Sequence, residues 1–466
     1  MIGRRPTGKL SGRRPTGQLS VVIIENCAIA TVAPGGAEYA EGHLVIDGDT
    51  IAAVGAGSAP AYPGATRIDA AGCLATPGLI NTHHHLYQWA TRGLAQQRDL
   101  FGWLTELYPV WAGIDAEITG AAAAAGLAQL ALSGCTTSTD HHYVFPRDAG
   151  DLLEAGIEAA RRIGLRFHPC RGSMDLGASA GGLPPDGLVE STDDALAATA
   201  AAIKQWHDPS RESMLRIAVA PCSPFSVTPR LMREAADLAR AEGVRLHTHL
   251  AETADEERFC RSRFGCTPAE YADSLGWLGP DVWLAHGVHL GSAAIARFAA
   301  TGTGVAHCPS SNARLGAGIA PIAALTAAGV PVGLGVDGAA SQETGQLGAE
   351  LRQALYAARL AGGPAAMTAR QALALGTIGG AQCLGRADEL GSLEPGKLAD
   401  IALWRIDGLG HAGIADPVAA LVLGPQPVVE LLLVGGVPVV RDGELTGADE
   451  RSLAQELAKA AEAMRT

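Results

Sequence analysis

Eight strand-like segments alternate with alanine-rich helical segments between about Thr76 and Leu384, and this alternation restricts the possible folds more than any other feature. Strands separated by helices form parallel sheets, and eight such repeats favour a closed (β/α)8 barrel. Active sites of these barrels lie at the C-terminal ends of the strands, so polar residues there are the functional candidates. The candidate strands lie in GCLATPGLINTHHH, TTSTDHH, GLRFHPCRG, LRIAVAPCS, VRLHTHLAE, VWLAHGVHL, GVAHCPSS and VPVGLGVDG.

Short strand patterns with period-two alternation flank the predicted barrel on both sides, which predicts a small β-domain built from both ends of the chain. Before it, a near-repeated octamer with four arginines (GRRPTGKL, then GRRPTGQL) lacks the apolar core of a secretory signal. The predicted parts are a disordered leader (1–20), the β-domain's first part (21–75), the barrel (76–384), the β-domain's second part (385–446) and a C-terminal helix (447–466).

Composition narrows the class of function. The net charge of −13 argues against binding to nucleic acid or to an anionic membrane surface. No apolar, uncharged span reaches membrane length, and the nine cysteines include no CxxC pair. We therefore expect a cytoplasmic protein with free thiols and a small-molecule substrate.

Two HxH pairs follow strand-like segments. His83 and His85 point to the same side of an extended chain, so they can share one metal ion, while His84 faces away. His247 and His249 form the second pair, and either of them could bind metal. Neutral imidazoles are common ligands of zinc and iron.

Further polar residues stand at the ends of later strands. Asp337 follows the glycine-rich strand VGLGV and can bind metal or accept a proton from water. Glu252 comes three residues after His249, and His286 ends the run VWLAH. Single residues of these types have ordinary structural roles, but their ordered appearance at successive strand ends indicates a catalytic metal site.

The segments PGLINTHHH, HTHLAET, LAHGVHL, HCPSSNARLG, LGVDGAAS and LGSLEPGKLADIALW resemble the amidohydrolase superfamily over nearly the whole chain after the leader. The resemblance implies an α/β fold in which a distorted (β/α)8 TIM-like barrel stands beside a small β-sandwich. It implies His83, His85, His249 and Asp337 as metal ligands, with His247 structural. It also implies Glu252 as the proton shuttle and His286 as a polarising hydrogen-bond donor.

Lysine content distinguishes one metal ion from two within this superfamily. Two-metal members usually bridge their ions through a carboxylated lysine on a central barrel strand. This chain has only Lys9, Lys204, Lys397 and Lys459, and none stands on such a strand. We therefore expect the mononuclear deaminase branch, with one divalent metal ion per chain, Zn²⁺ or alternatively Fe²⁺.

Longer segments resemble bacterial 8-oxoguanine deaminases, namely NTHHHLYQWATRGL, LFGWLTELYPVWAGI, STDHHYVFP and RFHPCRGSMDLG. This resemblance implies hydrolysis of 8-oxoguanine to urate and ammonia. Guanine, isocytosine or a hydroxy-s-triazine remain alternative substrates, and a binuclear cyclic-amide hydrolase remains an alternative enzyme. The predicted substrate contacts are Gln88, Trp103, Arg171 and Cys222. A homo-oligomer is expected from symmetry alone.

Overall fold

The computed structural model describes residues 21–465. Eight parallel strands close into a barrel, which confirms the predicted fold class. The barrel strands, in order, are Leu79–Asn81, Cys135–His142, Arg166–Ser173, Ala218–Pro221, Arg245–Leu250, Val282–His286, Gly304–His307 and Val332–Leu334.

Helices surround the barrel and connect its strands. Several begin with a side-chain cap, as where Asp151 accepts from the Glu154 amide and Thr228 from the Leu231 amide. The helices are Leu100–Trp111, Ala116–Leu132, Leu152–Ile163, Thr192–Trp206, Pro229–Glu242, Ala254–Phe264, Pro268–Ser274, Ser292–Thr301, Pro309–Arg314, Ile322–Ala327, Leu347–Gly362, Ala369–Ala374, Gly380–Cys383, Pro417–Leu423 and Glu450–Ala463. Shorter 3₁₀ or π turns are Leu86–Thr91, Ala178–Ala180, Asp186–Leu188 and Leu375–Gly379.

The second structural unit is a nine-stranded sheet to which both ends of the chain contribute. The two parts join where Cys73–Pro77 pairs antiparallel with Ile401–Arg405. Side chains from both parts, such as Ile24 and Leu431, share one apolar core. Its strands are Val22–Ala30, Glu38–Asp47, Thr50–Ala56, Thr66–Asp69, Cys73–Pro77, Ile401–Arg405, Val428–Val434, Val437–Arg441 and Glu444–Leu445.

The segment GCLATPGLINTHHH, predicted as one barrel strand, is divided by the structure. Cys73–Pro77 belongs to the nine-stranded sheet and Leu79–Asn81 to the barrel. Gly78 makes the transition, because a Cβ there would lie 2.2 Å from the Thr136 side chain. Further on, His84–His85 pairs with Asp337–Gly338 in a separate two-stranded sheet. This small sheet therefore joins the ends of the first and eighth barrel strands.

A buried ion pair joins the barrel to the nine-stranded sheet. Arg166, on the third barrel strand, donates from Nε and Nη2 to the two carboxylate oxygens of Asp400, at 2.9 and 3.0 Å. Asp400 also accepts from the Gly435 amide at 2.8 Å. The remaining guanidinium nitrogen of Arg166 donates to the carbonyls of Glu212 and Ser213. We call these groups the junction.

All nine cysteines are free thiols, as expected from their spacing. Over residues 21–465, no helix has both the length and the apolar character that a membrane span requires. The predicted leader lies outside the described residues, as does Lys9. Lys204 and Lys459 lie on helices, and Lys397 donates to the carbonyls of Ala387 and Leu390.

Candidate metal centre and active site

The four predicted metal ligands lie together at the mouth of the barrel. Asp337 Oδ1 lies 3.2 Å from His83 Nε2 and 3.3 Å from His85 Nε2. His85 Nε2 lies 3.1 Å from His249 Nε2. All four side chains are buried. Residues from the first, fifth and eighth strands therefore meet at one point.

Hydrogen bonds identify which ring nitrogens carry a hydrogen. His85 Nδ1 lies 2.6 Å from the His141 carbonyl, and His249 Nδ1 lies 2.7 Å from the Cys222 carbonyl. Because a carbonyl only accepts, each Nδ1 must carry the hydrogen, and each neutral ring then has a lone pair at Nε2. Burial lowers the pKa of His249 well below its usual range, so this ring stays neutral.

This donor set fits a divalent cation. Two imidazole lone pairs that face each other at 3.1 Å repel unless a positive charge lies between them. His83 Nε2 is buried and has no hydrogen-bond partner among the described residues. Imidazole nitrogen and carboxylate oxygen are the ligands of catalytic zinc. The site can therefore hold one cation through His83, His85, His249 and Asp337.

Two overlapping groups of four donors lie within 4.8 Å, namely His83, His85, His141, His249 and His83, His249, His286, Asp337. His141 was not predicted as a ligand. Its ring is stacked on His249 at 4.8 Å between centroids, and its Nε2 donates to the Ala220 carbonyl. The strand-end segment STDHH was the available sequence signal, but it does not distinguish His141 from His142, whose Nε2 donates to Val144.

Asp337 is held in place by a hydrogen bond and by its backbone conformation. Its Oδ2 accepts from Ser311 Oγ at 2.6 Å. The residue also has a positive φ of 64°, which is uncommon outside glycine and marks a local backbone constraint.

Glu252 and His286 lie beside Asp337. His286 Nε2 is 3.6 Å from Glu252 Oε2 and 3.8 Å from Asp337 Oδ2. Asn312 Oδ1 anchors the other side of the ring, at 3.0 Å from His286 Nδ1. Burial, then the charges of Asp337 and Glu256, raise the pKa of Glu252 well above its usual range. A carboxyl with a raised pKa is of the kind that can donate a proton.

The backbone around Glu252 is fixed by a second carboxylate that was not predicted. Glu256 accepts from the amides of Ala251 and Glu252, at 2.8 and 2.9 Å. Ala251 has a positive φ of 54°, and His286 one of 74°. The HTHLAET segment contained no sign of this contact, because Glu256 lies in the following helix.

A pocket opens above these donors, with about 360 Å³ of empty space when the open solvent at its mouth is included. Within its lining, Glu252 and Asp337 are the acidic side chains and no lysine or arginine contributes, which suits an uncharged ligand. Its polar lining is His85, Gln88, His249, Glu252, His286, Asp337 and Ser341, and its other lining residues are Leu100, Trp103, Leu104, Tyr108, Tyr143, Cys222, Phe225 and Leu315.

Three of the four predicted substrate contacts line this cavity, and Arg171 does not. Gln88 lies on the turn after the HxH pair, packed against the Gly338 backbone, where an added Cβ would lie 1.8 Å from its Oε1. Trp103 donates to the Ala340 carbonyl, and burial raises the pKa of the Cys222 thiol to about 12.

Arg171 is paired within the protein. Its guanidinium makes two hydrogen bonds to Glu190, at 2.7 and 2.8 Å, and lies over the Phe145 ring. An arginine paired in this way has its charge compensated within the protein. The sequence could not show this, because Glu190 lies in a separate loop.

Comparisons with known proteins agree with this geometry. The profile of the amidohydrolase family matches residues 74–439. The chain belongs to the amidohydrolase family. It is 46% identical to the 8-oxoguanine deaminase of Pseudomonas aeruginosa over 427 residues. This alignment covers 91% of this chain and 95% of that protein.

Other members of the amidohydrolase family are also similar to this chain. The hydroxydechloroatrazine ethylaminohydrolase of Pseudomonas sp. (strain ADP) is 41% identical, over 87% of this chain and 85% of that protein. The zinc complex of atrazine chlorohydrolase from Arthrobacter aurescens TC1 superposes with a TM-score of 0.90 and 35% identity, over 94% of this chain and 100% of that chain. These relatives support a hydrolase with a divalent metal site.

Proposed function

We propose that this amidohydrolase is a hydrolytic deaminase of 8-oxoguanine that releases urate and ammonia. The observation that carries the proposal is the convergence of His83, His85, His249 and Asp337 beneath a cavity that contains Glu252. The 46% identity to an 8-oxoguanine deaminase supports the choice of substrate.

The proposed centre holds one divalent ion, for which we favour zinc over iron. When bound, such an ion lowers the pKa of water to about 7, so that water becomes nucleophilic at neutral pH. Asp337 accepts the proton of the attacking water, and His286 orients the oxygen toward the ring carbon that bears the amine.

Glu252 supplies the proton that the purine needs. Its raised pKa favours the protonated carboxyl, which can protonate the ring nitrogen next to the attacked carbon. The carbon becomes tetrahedral, and Asp337 then returns its proton to the exocyclic amine. The C–N bond breaks and ammonia leaves, while the hydroxyl proton passes to the Glu252 carboxylate, so that a carbonyl remains where the amine was and Glu252 is again protonated.

Gln88 and Trp103 are the proposed contacts of the purine ring. Both amide atoms of Gln88 are buried without a hydrogen-bond partner among the described residues. One amide can donate to a purine carbonyl and accept from a ring NH. Trp103 supplies an aromatic surface, and the neutral Cys222 thiol leaves that wall of the cavity without charge.

A substrate panel tests the proposal. Zinc-loaded protein would be assayed for ammonia release with 8-oxoguanine, guanine and isocytosine, and for ethylamine release with an ethylamino-hydroxy-s-triazine, and urate would be followed by its absorbance. We expect the highest kcat/KM with 8-oxoguanine. A higher value for the triazine, which the 41% identical relative makes the main competitor, would refute the substrate while leaving the reaction type intact.

Metal content tests the remaining alternative, a binuclear cyclic-amide hydrolase. We expect about one ion per chain, because none of the described lysines lies at the barrel mouth. Two ions per chain, together with hydrolysis of a cyclic amide such as dihydroorotate, would contradict the proposed deaminase.

A further inference from the structure

The three imidazoles of the proposed metal centre are not anchored in the same way. His85 and His249 donate from Nδ1 to backbone carbonyls. His83 Nδ1 instead lies 2.8 Å from Nε2 of another histidine, His247. Its anchor is therefore a side chain that could itself carry a hydrogen at either nitrogen.

A backbone carbonyl determines which nitrogen of His247 carries the hydrogen. His247 Nδ1 lies 2.8 Å from the Trp283 carbonyl, which can only accept. His247 therefore has its hydrogen on Nδ1 and a lone pair on Nε2. That lone pair accepts from His83 Nδ1–H, and His83 Nε2 is left unprotonated and directed toward Asp337.

The position of His247 is fixed as well as its tautomer. Its ring is fully buried and stacked on the Trp283 indole, with centroids 4.4 Å apart and an interplanar angle of 19°. Trp283 Nε1 in turn donates to the carbonyl of Thr82, the residue before His83, at 2.9 Å. His83 is therefore connected to His247, His247 to Trp283, and Trp283 back to the residue before His83.

We propose that His247 is a positioning residue that fixes the ring orientation and the Nδ1–H tautomer of His83. The assignment rests on the proposed metal centre. Partners of this kind typically change metal affinity by about 10- to 100-fold when removed. With His247 replaced by an apolar ring, the buried His83 N–H has no acceptor, and the Nε2–H tautomer that cannot bind a cation becomes populated.

Three substitutions separate this role from simple packing. His247→Phe preserves the stacked ring but removes both nitrogens. In His247→Gln the amide oxygen reaches the place of Nε2 and can accept from His83. In His247→Asn the shorter amide reaches only the place of Nδ1. His168→Phe is the matched control, because His168 is another buried barrel histidine near Trp283, at 5.8 Å between ring centroids.

Zinc affinity of the full chain would be measured by competition with a chromophoric chelator. We expect His247→Phe and His247→Asn to bind zinc about 10- to 100-fold more weakly than wild type. His247→Gln should recover most of the affinity, and His168→Phe should match wild type. The visible spectrum of the cobalt-substituted protein should change in the Phe and Asn variants and be retained in the Gln variant.

The possible failures are distinguishable. Equal zinc affinity of wild type and His247→Phe would overturn the role of His247 and leave the metal centre intact. Should the Phe variant not fold, the comparison of Gln with Asn decides, and equal affinities in that pair would also overturn it. Wild-type protein that binds no zinc would overturn the metal centre and the assignment together.

Discussion

The barrel mouth and the junction both bury charged groups, but they satisfy them differently. At the junction, every nitrogen of the Arg166 guanidinium has an acceptor, and both carboxylate oxygens of Asp400 have donors. At the mouth, His83 Nε2 and His286 Nε2 have no hydrogen-bond partner among the described residues. The difference indicates that the junction stabilises the fold, whereas at the mouth the Nε2 atoms of these two rings are free for a ligand.

The largest effect is expected at the mouth, from Glu252→Gln. The amide cannot deliver the proton, so kcat should fall by about 10²- to 10⁴-fold, the usual contribution of a general acid. Zinc content and thermal stability should stay near wild type, because Glu252 is not among the proposed ligands. Ammonia release and metal analysis check this, and a variant with near-normal turnover would remove Glu252 from the mechanism.

At the junction, Asp400→Asn should lower stability and leave kcat unchanged, the reverse of Glu252→Gln. Removing one charge leaves Arg166 buried and only partly compensated, which costs about 3–5 kcal/mol in unfolding free energy. The kcat of the folded fraction should be unchanged. Urea denaturation measures the loss, and Arg166→Met with Asp400→Leu should lose less than either single variant. A loss in the double variant equal to the sum of the single losses would show that the two charges are not coupled.

Glu350 provides a pH-dependent test near the mouth. It is buried, accepts from the Ser310 amide and Gln342, and burial raises its pKa to about 7. A carboxyl whose pKa is raised on folding stabilises most at low pH and loses that stability as the pH rises through about 7. Relative to wild type, Glu350→Gln should thus gain unfolding free energy between pH 5 and pH 8, by about 2 to 3 kcal/mol.

Urea denaturation of both proteins at each pH measures that difference, and effects shared by the two proteins cancel. A difference independent of pH would show that Glu350 is ionised in the folded protein over the whole range.

The smallest effect is expected for Arg171→Met. Arg171 is an arginine paired with a carboxylate, as Arg166 is at the junction. Its charge is already paired with Glu190, so kcat/KM for 8-oxoguanine should stay within about threefold of wild type. Unfolding free energy should fall by about 1–3 kcal/mol, the value of hydrogen bonds to charged groups. A large rise in KM with unchanged stability would instead support Arg171 as a substrate contact.

The sequence predicted the features that are determined by residues at the ends of the barrel strands. Strand alternation and the HxH spacing placed His83, His85 and His249 at one end of a barrel, because parallel strands bring their C-terminal ends to the same side. The sequence could not show contacts between distant segments. The pairing of Arg171 with Glu190 and the support of Ala251 by Glu256 both depend on how loops and helices pack, which local patterns do not record.

Glycines illustrate the same limit. Gly335 and Gly338 leave space beside the backbone next to Asp337, and the sequence alone does not show what fills it. The protein uses their space itself, since an added Cβ at Gly335 would lie 2.7 Å from His83 Cβ, and one at Gly338 would meet Gln88. The sequence showed that these positions have no side chain, but it did not show which neighbouring side chains fill the space.

The pairing of Cys73–Pro77 with Ile401–Arg405 has a consequence for synthesis. A ribosome makes the first strand long before its partner, so the nascent chain carries an unpaired β edge while the whole barrel is being translated. Exposed edges invite aggregation, and we therefore expect early translation arrest to yield insoluble fragments rather than a folded barrel.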